Sequence, residues 1–171
     1  MRNSIINGYK EITISISSGI AIAVLLIIGT GATSILSSAH AQSVTLGEPF
    51  LVEKGKITSQ KEIGPNRTEF TFTGNGTMNG NIEVTSTGKL VSVSKGNVSF
   101  DQGSGVIKTT DGSGTANYTL IEVFNGRDFL GAPAYSTNST GGLSFLNNIL
   151  GIIKGEQEGS GNYAAEHWHW K

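Results

Sequence analysis

The sequence contains no cysteine and carries little charge. Charged residues make up 15% of the 171-residue chain, and lysine and arginine are nowhere gathered into a basic stripe. The missing cysteines exclude disulfides, thiol catalysis and thiolate metal sites. Without a basic stripe, the chain lacks the electrostatic footprint of a nucleic-acid-binding protein, so no nucleic-acid partner is expected.

Signatures of common enzyme chemistry are also missing. No serine lies in a Gly-x-Ser-x-Gly elbow, and no glycine-rich loop precedes a helix in the manner of a phosphate-binding loop. Glu156 and Glu158 share one face of a strand and could do acid–base work, but two solvated charges beside a turn are the commoner arrangement. The sequence assigns no catalytic residue and favours a protein that is not an enzyme.

Residues 1–41 have the features of a membrane-targeting segment. Arg2 and Lys10 flank its start, residues 12–39 carry no charge, and a small-x-small sequence ends at Ala41, directly before Gln42. The basic start stays on the cytoplasmic side while the apolar stretch enters the bilayer, so the following chain is translocated. We therefore predict a secreted, extracytoplasmic protein that is cleaved between Ala41 and Gln42.

A retained anchor is the alternative to cleavage. The uncharged stretch exceeds the apolar core of a standard signal peptide, and a hydrophobic helix over residues 12–36 is long enough to tether the protein. In either case the membrane is contacted through this N-terminal segment only. Residues 42–171 have the length of a single folded domain.

Short β-strands separated by glycine-containing turns fill that domain. Four of the 24 glycines lie before residue 42, and most of the others form clusters that are typical of tight turns. The clusters are Gly64-Pro65, Gly74-Asn75-Gly76, Asn79-Gly80, Gly96-Asn97, Gly103-Ser104-Gly105, Asp111-Gly112, Asn125-Gly126 and Gly159-Ser160-Gly161-Asn162. Period-2 alternation over 67–73, 81–85, 97–100 and 163–170 predicts strands, and residues 115–124 are apolar on both faces. The pattern predicts an all-β, small antiparallel barrel of about eight strands.

One segment departs from the period-2 pattern. Leu143, Leu146 and Leu150 have the i, i+3, i+7 spacing of a helical face, which predicts one short helix over residues 143–150. A helix there would plug or flank one end of the barrel.

The last third of the chain resembles a family of small uncharacterised archaeal and bacterial proteins, similar to the calycin-like or allene-oxide-cyclase-like β-barrels. The resemblance covers residues 100–171 and rests on Thr109-Thr110-Asp111-Gly112, Gly131-Ala132, Tyr135, Leu146-Asn147-Asn148, Gly151, Glu156, Glu158, Gly161-Asn162 and Trp168-His169-Trp170-Lys171. The chain departs from that pattern at His169, where an acidic residue is expected, and at 153–155. The resemblance implies a barrel and carries no activity.

A barrel interior lined by aromatic side chains suggests a non-catalytic module that binds a small apolar molecule. The candidate ligand-binding residues are Phe70, Phe72, Phe100, Trp168 and Trp170. A filled core is the plainer explanation of the same aromatics. Two other functions stay open: a cyclase- or isomerase-like barrel enzyme, which rests on fold analogy, and a structural envelope protein held by a retained anchor.

His167 and His169 lie two residues apart on a predicted strand, so their imidazoles emerge on one face while the two tryptophans share the other. Such a pair can supply two ligands to zinc or copper, with Asp111, Glu156 or Glu158 as candidates for a third. The alternative is that the tryptophans close the core and the histidines are solvated. The alternative is favoured.

Five Asn-x-Ser/Thr sequons are candidate glycosylation sites in an exported chain. Four of them are acceptable in surface turns: Asn66, Asn75, Asn97 and Asn138. The fifth, Asn117, falls within an apolar strand and is the weakest candidate. A domain rich in Asn, Ser and Thr also generates sequons by chance.

Overall fold

The computed structural model describes residues 46–170, which form eight β-strands and one 3₁₀ turn. The strands are β1 (Leu51–Gly64), β2 (Arg67–Met78), β3 (Ile82–Lys95), β4 (Val98–Thr109), β5 (Thr115–Asn125), β6 (Asp128–Ser136), β7 (Ile149–Gln157) and β8 (Asn162–His169), with the 3₁₀ turn at Ser144–Leu146. The predicted N-terminal helix and the cleavage site at Ala41 and Gln42 lie outside the described residues. No helix between residues 46 and 170 is long and apolar enough to cross a membrane.

The eight strands close into an antiparallel barrel. Each strand pairs with the next along the chain, and β1 returns to pair with β8 from Leu51↔His167 to Lys56↔Asn162. Closure leaves no strand without two hydrogen-bonded neighbours, which removes the exposed edges of an open sheet. The prediction of an all-β barrel of about eight strands is confirmed.

Tight turns join the strands, and several of the predicted turns are confirmed. Asn79 and Gly80 between β2 and β3 both have positive φ angles, of 49° and 76°, as a type I′ hairpin requires. Two predicted turns are wrong, because Gly74-Asn75-Gly76 lies inside β2 and Gly103-Ser104-Gly105 lies inside β4. These glycines face the barrel interior, where a neighbouring strand passes too close for a Cβ atom: a Cβ on Gly103 would stand 1.9 Å from the Lys89 carbonyl oxygen.

One end of the barrel is filled with apolar side chains. Leu51, Met78 and Ile107 are fully buried there, and the long β6–β7 connection adds Leu143 and Leu146 as a plug. The helix predicted over 143–150 is much shorter than expected. Only one 3₁₀ turn forms, because Asn148 adopts a positive φ of 58° and the chain then enters β7 as an extended strand.

The alternation of inner and outer faces corrects two further expectations. On β4, Asp101 is buried inside the barrel and Phe100 is 49% exposed on its outer wall. On β5, the apolar residues of the outer face are uncovered, since Ile121 is 60% exposed and Val123 is 39% exposed. The strand predicted to be covered on both sides therefore has one solvent-facing side.

Candidate functional site

An internal cavity of about 230 Å³ occupies the half of the barrel away from the plug. Ile57, Phe70 and Gln157 line it and also border a depression at the barrel rim, beside the β5–β6 and β7–β8 turns. The filled end and the cavity thus divide the barrel interior between them.

Aromatic rings form much of the cavity wall. Phe124 and Phe129 stack with their centroids 4.9 Å apart, and Phe72 meets Tyr163 edge to face at 6.0 Å. The ring of Phe129 lies over Gly155, where a Cβ atom would stand 2.4 Å from it. A side chain at position 155 would push this ring inward, so the glycine helps to keep the cavity open.

Glu53 is a buried acid at the deep side of the cavity. Its Oε2 accepts a hydrogen bond from the Ser86 hydroxyl at 2.8 Å, and its Oε1 accepts one from the Tyr163 hydroxyl at 3.0 Å. Burial raises the pKa of Glu53, and the two hydrogen bonds oppose that rise. Both carboxyl oxygens of Glu53 therefore have hydrogen-bond partners inside the barrel.

Asp101 and Glu122 are direct register partners on β4 and β5, and both face the cavity. Paired residues on one face have Cβ atoms roughly 5 Å apart, so the two carboxyl groups are close neighbours. Burial, followed by the charges of Asp101 and Glu53, raises the pKa of Glu122 to about 8. Burial also raises the pKa of Asp101, against the hydroxyls of Ser92 and Ser99. Glu122 therefore holds a proton at neutral pH that an exposed carboxyl group would have lost.

His167 lines the same cavity and is 4% exposed. Its Nδ1 lies 2.5 Å from the Tyr135 hydroxyl, and its Nε2 has no hydrogen-bond partner. Burial lowers the pKa of His167 to about 3, so the imidazole is neutral. If Tyr135 donates to Nδ1, Nε2–H is a free donor; in the other tautomer Nε2 is a free acceptor.

Three of the five predicted ligand-binding aromatics do not line this cavity. Phe70 and Phe72 do, whereas Phe100 lies on the outer wall. Trp168 is buried against the segment before β1, where its indole N–H donates to the Gly47 carbonyl at 3.0 Å, and Trp170 is 60% exposed. The predicted interior position of the two tryptophans is wrong because β8 turns its histidine face inward.

That orientation also overturns the expectation of solvated histidines. His167 is buried, and His169 packs against Phe50 with ring centroids 4.6 Å apart. The candidate third ligands Asp111, Glu156 and Glu158 are exposed. Residues 46–170 contain no group of three or more His, Cys, Asp or Glu side chains that could hold a metal ion. Zinc or copper binding at His167 and His169 stays a prediction.

Reasoning from the sequence missed Glu53, Asp101 and Glu122. Each of these acids alternates with an exposed apolar neighbour, which a period-2 pattern assigns to the core. The sequence signal for Asp101 and Glu122 is that they lie opposite each other in one hairpin, because they become register partners once the Asp111-Gly112 turn is placed. The sequon asparagines Asn66, Asn75, Asn97, Asn117 and Asn138 all have exposed side chains, and their glycosylation stays a prediction.

The fold and its cavity define a class: closed, eight-stranded antiparallel barrels with a polar group of residues inside. The chain is similar to a conserved protein of unknown function from Rhodopseudomonas palustris, with a TM-score of 0.57 and 13% identity over 72% of this chain and 96% of that one. It is also similar to a protein of unknown function from Clostridium acetobutylicum, with a TM-score of 0.60 and 11% identity over 72% and 98%. At such identities the likeness shows the fold alone. No family model and no curated protein matches the chain.

Proposed function

We propose that the barrel is a binding module for a small molecule with an apolar body, which it holds in the internal cavity. The observation that carries this proposal is the cavity itself, because the other half of the same barrel is closely filled. An apolar cavity of about 150 Å³ is enough to hold benzene. A space of about 230 Å³ therefore suits a single ring with a short substituent.

Native mass spectrometry of the protein purified from its host, together with a filled-cavity variant, tests this proposal. Leu120 faces the cavity and its neighbour Ile121 faces solvent. We expect calorimetry to show benzyl alcohol binding to the natural chain, and Leu120→Trp to weaken that binding at least about tenfold because the indole occupies the cavity. Ile121→Trp is the matched control and should bind as the natural chain does. Equal binding by both variants would place the probe outside the barrel and contradict the proposal.

A second candidate function is proton-transfer catalysis of the isomerase or cyclase kind. The neighbouring acids Asp101 and Glu122 favour it, since paired carboxyl groups with raised pKa values can donate and accept protons. A calycin-like or allene-oxide-cyclase-like affiliation, which is also a proposal, would agree with this catalytic function. Recovery of a chemically altered host molecule after incubation with the protein would support turnover.

We also propose that the barrel works outside the cytoplasm, delivered by residues 1–41. The support is the basic start, the uncharged stretch and the small-x-small sequence ending at Ala41. N-terminal sequencing of the cell-associated protein tests the two forms: a chain starting at Gln42 supports secretion, and one starting at Met1 supports a structural role with a retained anchor.

A further inference from the structure

We infer that the molecule held in the cavity is an organic cation, an amine on a small apolar body, whose ammonium group lies among the carboxyl groups of Glu53, Asp101 and Glu122. This inference rests on the proposed binding function and names the chemical class of its ligand. Three features of the cavity support it: acids without a basic partner, two buried polar atoms without hydrogen bonds, and an aromatic lining.

The cavity is lined by three acids and by no basic group that could neutralise them. None of its lining side chains within residues 46–170 belongs to lysine or arginine, and His167 is neutral. Buried acidic groups are normally paired with a cation or hydrogen-bonded, because an isolated buried charge is very unfavourable. The wall supplies no positive charge that would let these acids ionise, so a cationic ligand is the partner that allows them to do so. A ligand carrying a carboxylate would instead bring a further negative charge beside any of these acids that ionised.

Two buried polar atoms independently point to a bound group. Asp101 is 5% exposed and its Oδ1 has no hydrogen-bond partner; His167 is 4% exposed and its Nε2 has none. Both residues line the same cavity as Glu122. Buried polar atoms without partners are rare in folded proteins. An ammonium group has three N–H donors and no acceptor, which suits oxygens such as Asp101 Oδ1.

The remaining wall suits the apolar body of such a ligand. Phe70, Phe72, Phe124 and Phe129 supply aromatic faces, and aromatic faces attract cations as well as apolar groups. The acids lie on β1, β4 and β5 and the phenylalanines on β2, β5 and β6, so the wall offers aromatic surface beside the acids.

Binding of such a cation is expected to release a proton. The titratable groups around Glu122 are Asp101 on β4, Glu53 on β1, Tyr118 on its own strand, and Tyr163 and His167 on β8. In the empty barrel Glu122 holds its proton at neutral pH. When the ammonium group binds, the carboxyl group becomes a carboxylate and its proton leaves to solvent, so that one positive charge replaces another. Affinity should therefore rise with pH until Glu122 has titrated.

Calorimetry of the full chain with three probes of nearly equal size tests the inference. The probes are benzylamine, benzyl alcohol and benzoate, which are a cation, a neutral molecule and an anion at about pH 7. We expect benzylamine to bind at least about tenfold more tightly than benzyl alcohol, and benzoate to bind most weakly. Measurements in buffers of different ionisation enthalpy should show proton release approaching one per benzylamine, and none with benzyl alcohol.

Two variants locate the effect. Glu122→Gln should abolish proton release and reduce the ratio of benzylamine to benzyl alcohol affinity at least about fivefold. Glu166→Gln removes an exposed acid from the outer wall and should leave both readouts unchanged. Asp101→Asn replaces Glu122→Gln if the latter fails to fold. If benzyl alcohol bound as tightly as benzylamine, the inference of a cationic ligand would be overturned and the proposed binding function would stand. If none of the three probes bound, the proposed binding function itself would be overturned.

Discussion

Gly103 faces the barrel interior at a point where β3 and β4 approach each other very closely. A Cβ atom there would stand 1.9 Å from the Lys89 carbonyl oxygen and 2.8 Å from the Leu90 Cα atom. Both contacts involve backbone, which can yield only if the strands move apart. The small residue therefore permits the approach of the two strands and leaves room for the Leu90 side chain beside it.

We expect Gly103→Ala to reduce the free energy of unfolding by about 1–3 kcal/mol, because an added methyl group forces backbone shifts in a packed interior. Urea denaturation followed by circular dichroism measures the change. Gly159→Ala is the control, since a Cβ at Gly159 meets nothing within 4 Å. A Gly103→Ala variant as stable as Gly159→Ala would contradict the close approach.

The inner and outer faces of β4 show why individual positions resist prediction. Phe100 pairs with Val93 and Val123, and all three are exposed on the outer wall. The residues between them, including Asp101, point inward. A period-2 pattern separates the two faces of a strand but does not state which one is buried. The apolar face was assigned to the interior, so the acids of the cavity were overlooked.

At the scale of single elements, the β6–β7 connection closes one end of the barrel. Leu143 and Leu146 are fully buried there, with Phe50 and Phe145 packed nearby. Leu150 belongs to the next strand and is 58% exposed. The i, i+3, i+7 spacing of the three leucines matched a helix only by coincidence.

We expect Leu146→Ala to lower the free energy of unfolding by about 2–5 kcal/mol, since it deletes a fully buried side chain and leaves a cavity. Leu150→Ala makes the same chemical change at an exposed position and should stay within about 0.5 kcal/mol of the natural chain. Thermal and urea unfolding of both variants measure the difference. Equal losses of stability from the two variants would mean that Leu150 is buried as well, which would contradict its exposed position on β7.

Element types were far more predictable than their exact bounds. Alternating runs near Phe72 and Tyr163 are strands, and the Asn79-Gly80 turn has the geometry that its residues favour. The glycines within β2 and β4 were mistaken for turns because local sequence cannot show which strand passes beside them. Contacts between strands that are distant along the chain decide such positions.

At the scale of the whole molecule, the barrel buries ionisable groups of opposite type. Burial raises the pKa of Glu122 from 4.5 to about 8 and lowers the pKa of His167 from 6.5 to about 3. Between pH 4.5 and about 8 the folded chain keeps a Glu122 proton that the unfolded chain loses, so stability falls as pH rises. Between pH 6.5 and about 3 the unfolded chain binds a His167 proton that the folded chain refuses, so stability falls as pH falls.

The two windows overlap between pH 4.5 and 6.5, where their slopes have opposite signs. We therefore expect stability to be greatest in that range and to decline toward pH 8, by at most about 1.4 kcal/mol per pH unit for each titrating group. The pKa values of Glu53 and Asp101 are also raised, so each acid adds a decline of the same sign above its ordinary pKa.

Urea unfolding midpoints measured from about pH 4 to about pH 9 check this expectation. Glu122→Gln cannot ionise, so it should flatten the decline above pH 6.5 while the acidic side stays as it is, because His167 is unchanged. Glu166→Gln lies on the outer wall and should reproduce the full alkaline decline. If the stability of the natural chain were constant or rose from pH 6.5 to 8, the buried acids would ionise without a stability cost. A bound cation would then not be needed to let them ionise.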